Sequence, residues 1–399
     1  MEVLSTKEKI IQAAFSFYKD YHFERISLSQ IAAKVGISKA AIFKHFKNKD
    51  DLLACMEEKV FAGIMCMLEQ VQKKIDSGDD KDLLFYITVY LCQHIEYINF
   101  FNSVNATFTF DEFILKFREQ GIAMFNSLFS DTGSPTNVDS YRIMLYIAVM
   151  LLEFIHRFSL SATASEKAGI ESYARKAGDI ISRGLCLNEE RLTEERIGQL
   201  DTICIESVEN VPPVDETFKA LAKIVEKSGY EGVTMEALAG ELGMAKSSFY
   251  STYKSKEEMI FSLLRKEHAK ILDFFLCVLE KAESFSEKIY VMYSSCMNYF
   301  YRHSEILEAC KYLRFSSFMN KQHMEDFSCK DVIGRIWSII FLQGDCPSEF
   351  PDFMKEIVFE SFFLEPVYIL LHFLKHGFSE KDIRESPAKI YEMLCFGTN

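Results

Sequence analysis

The sequence predicts an all-α protein made of two tandem units, each with an N-terminal helix-turn-helix head and a helical body. Three observations favour this fold class. Glycine and proline number only 17 and 7 in 399 residues, whereas sheets and barrels need more turn residues than this. Apolar residues recur at helical spacing over long stretches of the chain. A shift of 207 residues then brings one segment into register with another.

The repeated segment spans residues 27–52, which fall on residues 234–259 without a gap. Most apolar positions keep their chemical type, and glycine and lysine positions are kept as well. The identical pairs are Ala32/Ala239, Gly36/Gly243, Lys39/Lys246, Lys47/Lys254 and Lys49/Lys256. Two unrelated amphipathic helices would not be expected to share glycines and lysines in register. We therefore interpret the two segments as an internal duplication.

In the first copy, the sequence predicts four short helices. Ser5-x-x-Glu8 and Ser27-x-x-Gln30 are capping boxes that start the first two. Gly36 follows the second helix, where a left-handed residue ends it. A third helix is expected over residues 39–46 and a fourth from residue 49 onward. A helix, a short turn with glycine and a second helix form the helix-turn-helix layout.

The second copy repeats this plan. Asp215 is predicted to open the first helix, Thr234 the second, and Gly243 to make the turn. Ser255-x-x-Glu258 is predicted to be a full capping box for the fourth helix. In both copies the third helix is the one that enters the DNA major groove in a helix-turn-helix protein.

The third helix of each copy is basic within an acidic chain. Residues 38–49 contain four Lys, one His and no acid, and residues 243–256 contain three Lys and no acid, although the net charge is −13. Basic side chains at this position reach base edges and phosphates. A solvated basic face is the alternative interpretation. Because the basic segments coincide twice with a helix-turn-helix layout, DNA binding is favoured.

Two segments carry a specific resemblance, GISKAAIFKHFKNKDDL at 36–52 and GMAKSSFYSTYKSKEEM at 243–259. Both resemble the signature of the TetR/AcrR family of bacterial transcriptional regulators. The resemblance implies variable C-terminal helices that bind a small ligand and dimerise. It also implies that ligand binding moves the DNA-reading heads apart and releases a double-stranded operator, so that the protein is a repressor.

By that resemblance, Lys49, Tyr250 and Lys256 match the residues that contact phosphates. Phe43 departs from the family pattern because it has no hydroxyl, and Ala245 departs because it cannot cap a helix. The predicted DNA-binding residues are Ser38, Lys39, Ala40, Ala41, Phe43, Lys44, His45 and Lys49 in the first copy, with Lys246, Ser247, Ser248, Tyr250, Thr252 and Lys256 in the second. Because the two sets differ, two unlike half-sites are expected.

The segments after each head read as helical bodies rich in aromatic residues and methionine. Helices are predicted near 49–75, 80–102, 110–129, 138–161 and 165–186, and then near 256–282, 285–302, 304–315, 322–343, 352–376 and 380–395. Most of these side chains are expected in the core and in a dimer interface, and some in a pocket for a small apolar or amphipathic ligand. Glu153, His156 and Arg157 are candidate ligand contacts, although an ordinary i,i+4 Glu–Arg pair explains two of them.

Other function classes find no support. His372 and His376 have i,i+4 spacing, but a histidine near a helix end is common, and no acid or cysteine lies at ligand spacing. We expect no metal and no cofactor. No nucleophile elbow, P-loop or G-x-G-x-x-G is present, so the sequence does not indicate an enzyme.

The chain is expected to remain in the cytoplasm. Eleven widely spaced cysteines without a C-x-x-C motif are typical of reduced thiols. The first residues do not resemble a signal peptide. The apolar run at residues 357–374 is interrupted by two Glu, a Pro and a His, so no membrane-spanning helix and no membrane partner are predicted. An acidic chain is also not expected to coat nucleic acid over its whole surface.

We divide the chain accordingly and use these names below: head 1 (1–50), body 1 (51–187), a linker (188–214), head 2 (215–257) and body 2 (258–399). Residues 192–208 of the linker are predicted to be a helix, followed by an extended Pro212-Pro213 segment. Such a linker spans about 40 Å, which permits the two copies to pair within one chain. Alternatively, one copy is structural and two chains form a homodimer, or the chain is a ligand-sensing or protein-interaction module that no longer binds DNA.

Overall fold

The computed structural model describes residues 4–18, 27–78, 83–104, 115, 138–161, 169–185, 191–228, 232–307, 309–310, 330–342, 346 and 352–398. Within these residues the secondary structure is helical and contains no strand. The chain divides into two compact units. Unit 1 comprises Met1–Gly133 and Phe154–Gly178, and unit 2 comprises Ser134–Glu153 and Asp179–Asn399.

The helices of the first copy follow the predicted order. They are α1 Thr6–Ser16, α2 Leu28–Val35, α3 Lys39–Ile42, α4 Lys49–Asp76, α5 Leu83–Gln93, α6 Ile95–Val104, α7 Val138–Ser161 and α8 Ile170–Arg183. Both predicted capping boxes of the first copy are present, at Ser5–Glu8 and at Ser27–Gln30. The helix predicted over residues 110–129 lies outside the described residues.

The linker contains one described α-helix, α9, and the second copy contains eight. They are α9 Glu194–Glu209, α10 Glu216–Ser228, α11 Met235–Glu241, α12 Lys246–Thr252, α13 Lys256–Leu279, α14 Phe285–Arg302, α15 Lys330–Phe341, α16 Asp352–Lys375 and α17 Glu380–Phe396. A short 3-10 turn, Ser304–Ile306, follows α14. Half of the helix predicted over 304–315 and the start of the one predicted over 322–343 lie outside the described residues.

The cores of the two heads use the same positions. In unit 1, Ala14, Phe15 and Ile31 are buried where α1 and α2 meet. In unit 2, Leu221 and Leu238 are buried in α10 and α11. Ala14 and Ile31 lie 207 residues before Leu221 and Leu238, so the register predicted from the repeat is also the register of burial.

The predicted third helix of head 1 is shorter than expected. It is α-helical only over Lys39–Ile42, and the chain continues in tight turns with hydrogen bonds from His45 N–H to the Ile42 carbonyl and from Lys44 N–H to the Ala41 carbonyl. These are i to i−3 bonds, which tighten a helix end. Phe46 is buried at the end of this turn, and its burial fixes the chain reversal into α4.

The linker contains the predicted helix, which is part of unit 2. Thr193 caps α9 by accepting the Arg196 N–H at 3.2 Å. The Arg196 guanidinium donates to both carboxylate oxygens of Glu287 in α14 at 2.8 Å each. Cys204 is fully buried, and its thiol lies 3.9 Å from the Val291 carbonyl. The segment between the copies is therefore packed against α14 over most of its helix.

Helix α16 is the most apolar long helix among the described residues. Met354–Lys375 is long and apolar enough to cross a membrane by length and composition alone, with a mean hydropathy of 1.7. Within unit 2, however, 61% of its apolar window is buried. Ser361 and Glu365 are buried in it, and the Tyr293 and Ser361 hydroxyls lie 2.5 Å apart. These contacts are those of a core helix packed on α14.

Body 1 contributes to unit 2 through two segments. The first two thirds of α7, up to Glu153, and the end of α8, from Asp179, both belong to unit 2 together with body 2. The ring of Tyr141 in α7 stacks on that of His372 in α16, with 3.5 Å between the ring centres. Within unit 2, helices from both copies therefore share one core.

Candidate nucleic-acid interface

The turn into the recognition segment has the same geometry in both heads. Gly36 and Gly243 have φ of 77° and 62°, in the left-handed region that favours glycine. The residues that follow them, Ile37 and Met244, donate to the Ala32 and Ala239 carbonyls at 3.0 and 2.8 Å. The turn predicted from the sequence is confirmed in both copies.

In head 1, the recognition segment begins at a capped helix. The Ser38 hydroxyl accepts the Ala41 N–H at 3.1 Å, which satisfies a backbone donor of the first turn. The predicted DNA-binding residues of this head lie on one exposed segment. Ser38, Lys39, Ala40, Phe43 and Lys44 are exposed, and Ala41, His45 and Lys49 are half-buried. The Phe43 ring is 49% exposed, so an apolar ring faces solvent where the family pattern has a tyrosine.

In head 2, the recognition segment is the seven-residue helix α12. Ser247 and Thr252 are exposed, Lys256 is half-buried, and Tyr250 is 54% exposed. The side chains of Lys246 and Ser248 lie outside the described residues. Met244 at the preceding turn is 50% exposed, so the surface of head 2 also carries an exposed apolar side chain.

In both heads, the same two hydrogen bonds fix the turn between the recognition segment and the next helix. In head 1, the Asp51 carboxylate accepts the Lys47 N–H at 2.8 Å while Asn48 caps the Asp51 N–H at 2.8 Å. In head 2, Ser255 caps the Glu258 N–H at 3.1 Å. The Glu258 carboxylate then accepts from the backbone of the residue before the cap.

This second bond corrects the sequence analysis. In the full capping box predicted for Ser255-x-x-Glu258, the Glu258 carboxylate would accept a hydrogen bond from the Ser255 N–H. The carboxylate instead accepts the Lys254 N–H at 2.7 Å, one residue earlier. The bond therefore holds the recognition turn rather than the helix start, and it matches the Asp51–Lys47 bond of head 1.

A glutamate that the sequence analysis missed lies beside the recognition helix of head 2. The Glu236 carboxylate, in the first turn of α11, accepts a hydrogen bond of 3.1 Å from the Tyr250 hydroxyl. Both residues are exposed. At the matching positions, head 1 has Ser29 and Phe43. Aligning the two repeats could have indicated this glutamate, because it places an acid of head 2 at the position of a neutral serine of head 1.

Head 2 is attached to body 2 by a polar cluster. Glu267 in α13 is 2% exposed, and its carboxylate accepts from the Asp215 N–H at 3.0 Å and from Lys270 at 2.8 Å. The Lys270 ammonium also donates to the Pro213 carbonyl at 2.9 Å. Partial burial raises the pKa of the Asp215 carboxyl, but hydrogen bonds from Lys266, at 3.0 Å, and from Thr217 together lower it below its ordinary value. The start of α10 is therefore held against α13.

The candidate ligand contacts in α7 are only partly described. Glu153 is 5% exposed and Arg157 is half-buried, whereas the His156 side chain lies outside the described residues. In body 2, an open cleft of about 520 Å³ is lined by residues of both charges, including Glu283, Lys288 and Arg335. The described residues contain no group of three His, Cys, Asp or Glu placed to hold a metal ion.

Comparison with known families agrees with the geometry of both heads. The family model described as bacterial regulatory proteins, tetR family, matches residues 10–56 and again residues 218–263. The chain thus matches the TetR family at both heads. It carries two tandem units of that family in one all-α chain, and each match covers one helix-turn-helix head. The two matches support a DNA-binding transcriptional regulator of the TetR type.

One relative of the chain comes from Bacillus subtilis (strain 168). It is described as an uncharacterized HTH-type transcriptional regulator, YxbF. The two proteins are 20% identical over 296 residues, which cover 71% of this chain and 72% of the relative. The aligned length exceeds that of a single head and body in this chain. The similarity therefore extends beyond one repeat.

Proposed function

We propose that the chain is a ligand-released repressor in which the two copies pair within one chain and read a two-part operator. The observation that carries the pairing is the core of unit 2. There, α7 and the end of α8 from body 1 pack with α16 and α17 from body 2. TetR-type regulators typically dimerise, and a fused pair would make that association independent of concentration.

Several buried contacts support the pairing. The Arg142 guanidinium donates to the Ser386 hydroxyl at 3.1 Å and to the Asp382 carbonyl. The Tyr146 hydroxyl donates to the Met393 carbonyl at 3.5 Å. Arg142 and Tyr146 are 2% and 0% exposed. Polar groups buried at such an interface need their specific partners, so these contacts favour one register between the copies.

Backbone contacts support the same pairing at the ends of α8 and α17. The Leu185 N–H donates to the Leu394 carbonyl at 2.9 Å, and the Thr398 N–H donates to the Ser182 carbonyl at 3.2 Å. Gly184 and Gly397 approach each other so closely that a Cβ atom on either would meet backbone atoms within about 2.5 Å. Gly184 has a φ of 72°. Both the space and the backbone angle at this position therefore require glycine.

The two copies would present unlike recognition surfaces to DNA. Head 1 offers Lys39, Ala40 and Ala41, whose methyl groups suit thymine, whereas head 2 offers hydroxyls at Ser247 and Ser248. Heads that read one face of DNA must lie about 34–36 Å apart or a multiple of that spacing. The repressor proposal therefore includes a two-part operator with unlike halves. The working location would be the cytoplasm.

A binding-site selection tests this function. Purified protein is mixed with fragments of its own genome at a stated moderate salt concentration, because phosphate contacts make affinity steeply dependent on salt. We expect enrichment of one site with two unlike halves, bound by one chain in light scattering. A perfect palindrome bound by two chains would contradict intrachain pairing. Enrichment of no site, with or without cell extract, would contradict the regulator function.

A pair of charge reversals tests the recognition residues. Lys39→Glu and Lys246→Glu are each expected to weaken operator binding about tenfold or more, since each replaces a base- or phosphate-facing cation by an acid. Lys176→Glu, at an exposed position of α8, makes the same charge change outside the heads and serves as the control. Unchanged operator binding in both head variants would favour a protein-interaction module instead.

The ligand is proposed to be a small apolar or amphipathic molecule that binds a body. Support comes from the aromatic and methionine content of the bodies and from the buried Glu153 carboxyl in α7. Extract fractions that release the selected DNA would identify it. Glu153→Gln, His156→Ala and Arg157→Ala are then expected to change the concentration needed for release. If none of the three does so, these residues are not ligand contacts.

A further inference from the structure

The two heads differ in charge where helix-turn-helix proteins meet the DNA backbone. Residues 27–49 of head 1 contain five Lys and no acid. The matching residues 234–256 of head 2 contain three Lys and two Glu. One of these acids, Glu241, lies in the last turn of α11 and pairs with Lys223 at 3.3 Å. The other, Glu236, faces the recognition helix.

Glu236 engages the hydroxyl that is expected to meet DNA. Tyr250 matches the phosphate-contacting tyrosine of the family, and its hydroxyl donates to the Glu236 carboxylate at 3.1 Å. A tyrosine hydroxyl has one proton and donates one hydrogen bond at a time. A phosphate oxygen can accept a hydrogen bond from this hydroxyl only after the hydroxyl turns away from the Glu236 carboxylate. A phosphate arriving at this hydroxyl would also be repelled by the carboxylate beside it.

Head 1 has neither part of this arrangement. Ser29 replaces the glutamate and Phe43 replaces the tyrosine, and both are exposed. The first turn of α2 therefore presents no negative charge to a phosphate. Head 1 gives up one neutral hydrogen bond to phosphate, whereas head 2 places a like charge at the contact. Phosphate contacts supply most of the sequence-independent affinity for DNA. A negative charge at such a contact therefore lowers the affinity more than the loss of one neutral hydrogen bond does.

We propose that Glu236 limits DNA binding by head 2, because it occupies the Tyr250 hydroxyl and repels phosphate, so that head 1 provides the larger share of affinity. This inference rests on the proposed function and names the residue that makes the two half-sites unequal in strength. Head 2 would engage DNA fully only where head 1 is already bound. The operator half read by head 1 would then be the more strongly defined of the two.

The test exchanges the two residues between the heads. Glu236→Ser gives head 2 the residue of head 1, and Ser29→Glu does the reverse. The probe is a random-sequence duplex of about 40 base pairs, long enough for both heads one helical turn apart. It reports phosphate contacts at low salt without knowledge of the operator. We expect Glu236→Ser to tighten binding about three- to fivefold and Ser29→Glu to weaken it by a similar factor.

Three controls separate the specific effect from general ones. Glu241→Ser removes an acid from the same helix away from Tyr250, and it is expected to change affinity less than Glu236→Ser. In a Tyr250→Phe background, the gain from Glu236→Ser is expected to shrink, because the shared hydroxyl is absent. Circular dichroism and thermal unfolding show whether each variant is folded. The gain should also shrink as salt is raised, since exposed charges are screened.

The outcomes distinguish this inference from the proposed function. If the wild-type chain binds neither the random duplex nor any genomic fragment, the proposed function fails and this inference fails with it. If the wild type binds and Glu236→Ser leaves its affinity unchanged, only the role of Glu236 is overturned. An equal gain from Glu241→Ser would also overturn it, because total charge would then explain the effect.

Discussion

Arg142 donates a hydrogen bond of 3.1 Å to the hydroxyl of Ser386, 244 residues later in the chain. The two residues belong to different copies of the repeat, and both are buried in unit 2. The Arg142 guanidinium also pairs with Asp139 at 2.6 Å within α7. A buried cation is thus satisfied by partners from both copies, which makes it a sensitive probe of how the copies hold together.

Arg142→Met is expected to lower the free energy of unfolding of unit 2 by about 2 kcal/mol, because the Ser386 hydroxyl and the Asp382 carbonyl lose a charged donor. Urea unfolding followed by circular dichroism measures it. Arg183→Met provides the control, since the Arg183 side chain is 71% exposed and lies 3.9 Å from Asp179. That change is expected to cost less than about 0.5 kcal/mol. Equal costs would show that Arg142 has no special role.

The buried Glu365 carboxyl predicts a pH dependence of stability. Burial raises its pKa well above the ordinary value of 4.5. No donor among the described residues meets hydrogen-bond geometry at either carboxyl oxygen, and the nearby Tyr293 hydroxyl offsets only part of the rise in pKa. A group whose pKa is raised by folding stabilises the protein fully below its unfolded-state pKa. That contribution is lost as pH rises toward and through the folded-state pKa.

Glu365→Gln is therefore expected to unfold at a higher temperature than the wild type at pH 8. The difference should narrow as pH falls toward 4.5 and vanish below it, because the wild-type carboxyl then becomes neutral in the unfolded state as well as in the folded state. Thermal unfolding at several pH values measures it. Comparing the unfolding temperatures of the two proteins cancels the contribution of groups that titrate in both, such as His303. A difference that stays constant with pH would contradict a neutral buried Glu365.

Glu267 is expected to hold head 2 against body 2. Glu267→Val introduces the residue found at the matching position of the first copy, Val60 in body 1. It leaves the Asp215 N–H and the Lys270 ammonium without this acceptor, at a cost of about 1–3 kcal/mol. Faster amide hydrogen exchange is expected in α10. Lys266→Ala, which removes only the exposed ion pair to Asp215, should leave exchange in α10 nearly unchanged.

The helix caps predict opposite effects in the two heads. Ser38→Ala removes the hydroxyl that accepts the Ala41 N–H and is expected to destabilise head 1 by about 1 kcal/mol. Ala245→Ser supplies the missing cap to α12 and is expected to stabilise head 2 by a smaller amount, less than about 1 kcal/mol. Limited proteolysis of each head reports the change. Ser247→Ala, inside α12, is the matched control without a cap to lose.

Local chemistry made the heads predictable from sequence. Capping boxes, the glycine turns at Gly36 and Gly243, and the buried periodicity all act within a few residues, so they are legible without a structure. The shortening of α3 after Ile42 was not predictable in this way. It depends on where the chain must reverse so that Phe46 can be buried, and several conformations are compatible with the same local sequence.

Contacts between distant segments were beyond such reasoning. The residues near Arg142 in the sequence do not predict Ser386 as its hydrogen-bond partner. Likewise, the sequence shows Glu365 only as one acid in an apolar run, and its burial is seen only in the fold. The Glu236–Tyr250 bond lies between these cases. Its two residues are 14 positions apart, and aligning the repeats shows the unlike pair, but only the folded head shows that the two side chains meet.

The two proposed DNA-binding surfaces are formed by different segments of the chain, 207 residues apart. In a protein assembled from identical subunits, any substitution in a recognition helix appears twice in the complex, and both half-sites must change to match it. Here a substitution such as glutamate for serine next to the recognition helix appears only once. Under the proposed pairing, natural selection could therefore adjust the preference for one half-site while the other head continues to hold the protein on DNA, so that regulator and promoter could diverge in single steps.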